Sequence, residues 1–128
     1  GAWYGMACDP SIAVGAPVCG GIGSLYRNLY EGQPWRHSSA GYIPGILKYF
    51  DHGEIVSTCI TPRPFIMIAP TQDEDMPSNG VNDMLKIVKP AYKKQDFSKN
   101  FECYRPPGKH VYMIEYFNKV VSFFNKFL

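Results

Sequence analysis

A chain of 128 residues, 45% apolar and 19% charged, is the size of one domain and carries enough apolar side chain for a single packed core. Its formal charge of +2 and its scattered lysines (Lys86, Lys89, Lys93, Lys119, Lys126) leave no footprint for nucleic acid or an anionic membrane surface. No apolar run approaches the roughly 18 to 20 residues that span a bilayer, no C-x-x-C pair occurs among the four cysteines, and His37, His52 and His110 are too dispersed to spell a zinc site. The cysteines are expected to be buried free thiols, and no metal or organic cofactor is expected.

In chain order, "GAWYGMACDP" reads as the last turns of a helix halted by Asp9-Pro10. With no initiator methionine and no start signal before it, it predicts a fragment or a processed product. "SIAVGAPVCGG" then suits a buried strand over residues 12–19. Residues 20–50 lack a period and exceed an ordinary connection, so an insertion or loop is expected at the substrate edge, with a short helix around residues 24–30. Its aromatics, Tyr26, Tyr30, Trp35, Tyr42, Tyr49 and Phe50, either line a pocket or pack the insertion onto the body.

Asp51 followed by Glu54 is a capping-box pattern and predicts a short helix ending before Thr61-Pro62. The apolar run 65–69, bounded by Pro64 and Pro70, predicts a strand buried on both faces, hence parallel. Val81, Met84, Leu85, Val88 and Tyr92 recur at helical spacing over residues 80–92, with Pro90 expected to kink or end the helix. "FECY" alternates like a strand, and Pro106-Pro107-Gly108 turns the chain. From Phe117 a closing helix sets Phe117, Val120, Val121, Phe124, Phe127 and Leu128 on one face.

Helices alternating with strands imply an α/β fold, a parallel sheet between helical layers in a three-layer α/β/α arrangement, with 1–128 as a single domain. Function in such sheets gathers where the strands end. There, the loop 71–79 supplies Asp73, Glu74 and Asp75, and the loop 105–110 supplies His110. An imidazole serves as a general base when a carboxylate fixes its tautomer, and acid-then-histidine is the chain order of the Ser, Asp or Glu, His triad. The competing reading is a solvated acidic loop and a surface histidine.

"ITPRPFIMIAPTQDEDMPSNGV" followed by "YRPPGKHVYMIEYFNKVVSFFNKFL" resembles the C-terminal half of an α/β-hydrolase, in the dienelactone-hydrolase and acetyl-xylan-esterase-like branch. The resemblance extends over most of the chain: "YIPGILKYFDHGEIVS" is similar to the segment before the turn, and "GAWYGMACDPSIAVGAPVCG" to the helix and strand after the nucleophile. It implies Asp73 as catalytic acid and His110 as base, in a serine hydrolase acting on carboxylic esters without a cofactor, with peptidase activity open in the same fold. One element is lacking, because no G-x-S-x-G occurs. "HSSAG" presents Ser39 without the strand and helix an elbow needs, and "GGIGSL" lacks the third glycine and the βαβ context of a dinucleotide loop. The serine is therefore expected from outside this chain. The partners implied are a small-molecule ester and an N-terminal half, or another chain, covering the sheet edge. The alternative in a different class is a non-catalytic α/β domain that recruits a partner by that edge.

Overall fold

The computed structural model describes residues 1–33 and 42–128. Two parallel strands form its centre, β1 (Phe65–Ile68) and β2 (Phe101–Tyr104), in register Phe65 with Phe101 through Ile68 with Tyr104. Both fall where the apolar run and the alternating "FECY" predict them. Around them lie α1 (Ala2–Cys8), α2 (Leu25–Tyr30), α3 (His52–Ile55, continued by a π-helical turn Val56–Ile60), α4 (Ser78–Lys94) and α5 (Ile114–Phe124). Alternation along β1 builds three layers. Phe65 and Met67 face α1, the π turn and α4 through Met6, Ile60, Val81 and Met84, whereas Ile66 and Ile68 face α5 through Tyr116 and Phe123.

Residues 12–19 are not the regular strand that the sequence predicts. They touch β1 at two isolated parallel bridges, Gly15 to Phe65 and Val18 to Ile68. Gly15 donates to the Pro64 carbonyl and accepts from Ile66, Pro17 accepts from Ile68, and Cys19 donates to Ile68. The missing rung is the one Pro17 would donate, since its nitrogen carries no hydrogen.

Helix α4 runs through Pro90 to Lys94 instead of stopping there. Pro90 and Lys86, whose carbonyl loses its intrahelical donor, are both exposed, so water can satisfy that carbonyl. Helix α5 begins at Ile114, three residues earlier than expected, and its buried face is turned: Tyr116 and Phe123 are buried, whereas Phe117 and Val121 are exposed.

Two side chains fasten the long segment before β1 to the body. Asp51 caps α3 in a capping box with Glu54 and also accepts from Ser24 Oγ (2.6 Å) and from the Leu25 and Tyr26 N–H groups at the start of α2. Burial would raise its carboxyl, but these hydrogen bonds outweigh that and hold it below the usual carboxylate range. Arg63, in the turn before β1, donates to the carbonyls of Met6, Asp9, Ile12 and Cys59 at 2.5–3.0 Å, tying the end of α1 to the end of the π turn.

His52 is buried edge-on against Trp3, on which Tyr4 stacks, and within reach of the Tyr4 ring. The Gly23 carbonyl, 3.0 Å from Nδ1, can only accept, so Nδ1 carries the proton and Nε2 accepts from the Tyr4 hydroxyl at 3.3 Å. Burial drives the imidazole down to about 4 from 6.5, against the pull of Asp51. The neutral form is native, so the stability it supports is full above pH 6.5 and lost as pH falls toward 4. Denaturant titrations at pH 7 and pH 4 are expected to differ by on the order of 3 kcal/mol more in the parent than in His52→Gln. Equal pH dependence in the two proteins contradicts this.

Candidate functional site

The pairing of β1 with β2 continues past the strand ends as single hydrogen bonds. Ala69 N–H donates to Tyr104 (2.8 Å), Thr71 to Pro106 (2.9 Å) and Gln72 to Gly108 (2.9 Å). Pro106 and Pro107 have no N–H to return, so the ladder ends while the two loops stay together. Asp73 and His110 are thereby delivered to one edge. Gly108 sits at φ 149°, and a Cβ there would lie 3.1 Å from the Tyr116 hydroxyl, so the loop needs glycine at that position.

Asp73 Oδ1 accepts from the N–H groups of Asp75 (2.9 Å) and Met76 (3.0 Å), which locks the carboxylate in a local turn. Its two oxygens then lie 3.1 and 3.0 Å from His110 Nδ1. Because a carboxylate can only accept, Nδ1 carries a proton, and in the neutral ring this leaves the lone pair on Nε2. The backbone N–H of His110 donates to Glu74 Oε2 at 3.4 Å, giving the histidine loop a second tie. The Asp73 side chain is 1% exposed and that of His110 is 29% exposed, so the acid is enclosed and the imidazole reaches the surface.

Asp75 is a finding the sequence reading missed. It is buried, not a solvated neighbour, and its Oδ2 lies 3.6 Å from His110 Nδ1, beyond hydrogen-bond range but close in charge. Periodicity carried no signal for this, because the turn around Asp73, not a helix or strand repeat, folds Asp75 inward. The donor atoms of Asp73, Asp75 and His110 fall within 4.8 Å of one another, a spacing able to hold a metal ion. An ion there would have to displace the proton that Nδ1 shares with Asp73.

Cys19 ends the 12–19 segment at the same edge, in the left-handed region (φ 57°), with Sγ 3.4 Å from the Val111 carbonyl. Burial, with the Asp73 charge added, pushes its thiol up to about 11, so it stays protonated and unreactive near neutral pH. Cys19 fits the expectation of a buried thiol, and Cys8 and Cys59 correct it, since both are exposed. Of the aromatics in residues 20–50, Tyr42 lines a groove of about 400 Å³ with Leu25, Leu29, Ile43 and Leu47. Tyr26 and Tyr30 instead pack on each other at the surface. Trp35, His37 and Ser39 lie outside the described residues.

No known family model matches this chain. Over 128 residues it is 27% identical to a putative hydrolase, YtaP, of Bacillus subtilis strain 168, spanning 99% of this chain and 42% of that protein. A glucuronoyl esterase of carbohydrate esterase family 15 from Caldicellulosiruptor kristjansonii superposes with a TM-score of 0.78 at 16% identity, covering 99% of this chain and 40% of its own. The chain therefore spans about two fifths of the length of each.

Proposed function

This chain has the fold of the C-terminal part of an α/β-hydrolase, and we propose that it supplies the acid and the base of a serine hydrolase acting on carboxylic esters. The observation that carries the reading is the contact of His110 Nδ1 with an Asp73 carboxylate that two backbone N–H groups hold in place. The likeness to a putative hydrolase supports hydrolysis, and the likeness to a glucuronoyl esterase supports the ester class.

A serine outside these 128 residues would attack the acyl carbon while His110 Nε2 takes the hydroxyl proton, with Asp73 stabilising the imidazolium formed. The proton then passes to the leaving alkoxide, the acyl–oxygen bond breaks, and water repeats the sequence to free the acid and the serine. Backbone N–H groups beside the serine would hold the oxyanion. In this reading residues 1–128 act as one domain, with residues 20–50 bordering the substrate edge.

Nitrogen NMR of the chain tests the arrangement without any substrate. At a pH where the imidazole is neutral, His110 is expected as the Nδ1–H tautomer, assigned by the resonance missing from His110→Gln. An Nε2–H tautomer removes the free lone pair and sinks the proposed base.

A further inference from the structure

Two carboxylates face one imidazole nitrogen at the edge where the loops after β1 and β2 stay together. Oδ2 of Asp73 lies 3.0 Å from His110 Nδ1 and Oδ2 of Asp75 lies 3.6 Å from it, and the donor atoms of the three residues all fall within 4.8 Å of one another. Only the first contact is a hydrogen bond. A single Nδ1–H therefore accounts for Asp73 and leaves the approach of Asp75 to the same nitrogen unexplained. Both carboxylate side chains are enclosed, at 1% and 4% exposed, so neither reaches this point as a solvated neighbour.

A tetrahedral ion accounts for both distances. Ligand atoms about 2.1 Å from a zinc ion stand roughly 3.4 Å from one another at the tetrahedral angle, and 3.0 and 3.6 Å bracket that separation. One nitrogen and two carboxylate oxygens leave the fourth position to water. Magnesium and calcium take oxygen donors, so the imidazole selects zinc over them. The donors are also held in place before an ion arrives. Oδ1 of Asp73 stays on the Asp75 and Met76 N–H groups, which leaves Oδ2 for the metal and fixes the turn that carries Asp75. The bonds from His110 N–H to Glu74 and from Gln72 N–H to Gly108 keep the base loop at the same spacing, and His110, 29% exposed, leaves the site open to solvent. Histidine spacing gave no sign of this, because only His110 takes part and its co-ligands come from the acid loop.

We infer that Asp73, Asp75 and His110 form an inhibitory zinc site, in which the ion is neither a structural centre nor a cofactor. The inhibition rests on the reading given under Proposed function, whereas the three donors for the ion do not depend on it. Coordination uses the Nδ1 lone pair, so the proton that Nδ1 gives up moves through solvent to Nε2 and the ring stays neutral. Nε2 then carries a hydrogen and cannot accept one from serine.

The test titrates zinc chloride into the 128-residue chain carrying Cys8→Ser/Cys59→Ser, which removes two exposed thiols able to bind zinc by themselves. Calorimetry is expected to show one zinc per chain and no binding of magnesium chloride. Asp75→Asn, its fold checked by circular dichroism, should weaken zinc by at least roughly 100-fold, since loss of an outer-shell partner alone costs up to about that much. Nitrogen NMR needs no change at the site: zinc should move His110 from the Nδ1–H to the Nε2–H tautomer. The inference is overturned if folded Asp75→Asn binds zinc as tightly as its parent, if magnesium binds equally well, or if zinc leaves the His110 tautomer unchanged. In the protein assembled with the polypeptide encoded ahead of Gly1, saturating zinc should slow fluorophosphonate labelling by about 10⁴, the scale of a wrong-tautomer histidine, and EDTA should restore it. Labelling that zinc bound at these three residues does not slow also overturns the inference. An assembled protein that binds zinc as described yet takes no probe with or without the ion sinks the hydrolase reading and leaves the ion site standing.

Discussion

If Asp73 and His110 act as proposed, Asp73→Asn in the assembled protein is expected to lower turnover by about 10⁴, the scale seen when a triad carboxylate becomes an amide. The geometry explains why so small a change acts so strongly. Oδ1 of Asp73 is committed to the Asp75 and Met76 N–H groups, and an asparagine keeps those bonds by placing its carbonyl there. The amide NH₂ then faces His110 Nδ1 and donates to it, which moves the ring proton to Nε2 and removes the lone pair that accepts from serine. Folding should survive, because the turn keeps its acceptor. Asp75→Asn is the discriminating control. Its carboxylate lies 3.6 Å from Nδ1 without hydrogen-bonding it, so its loss should be far milder. If Asp75→Asn abolishes turnover and Asp73→Asn does not, the acid is Asp75.

Local signals were legible where local chemistry decides the outcome. The Asp51–Glu54 capping box, the doubly buried run at β1 and the alternation at β2 each depend on neighbours in sequence, and each stands where it was read. Pro17 was visible within "SIAVGAPVCGG", and its missing donor was the available sign that this segment would not form a full ladder. Other features depend on partners distant in the chain. Which half of the apolar arc of α5 becomes buried is set by β1 and β2, so the period placed a helix but not its buried face. Arg63 read only as part of a turn, because its four carbonyl acceptors are contributed by segments up to 57 residues away.

At the site, loop order brought an acidic cluster and His110 to one edge of the sheet, and the structure brings Asp73 and His110 into contact. Choosing Asp73 over Glu74 and Asp75 needed the family resemblance, since all three sit in one loop. The separate place of each carboxylate comes from the turn that Asp73 itself nucleates, a three-dimensional consequence with no periodic signature.

The central claim is that this chain holds an acid and a base whose serine lies elsewhere, and fluorophosphonate labelling tests it most directly. A histidine and an aspartate accept a proton but present no activated hydroxyl, and no G-x-S-x-G occurs in these 128 residues. The chain alone is therefore expected to take no probe and to cleave a p-nitrophenyl ester no faster than free imidazole at matched concentration. Together with the polypeptide encoded ahead of Gly1, one stoichiometric adduct should form on a serine of that polypeptide and be lost in His110→Ala. A stoichiometric adduct on Ser24, Ser38, Ser39 or another serine of the isolated chain would contradict the account and make this a complete hydrolase.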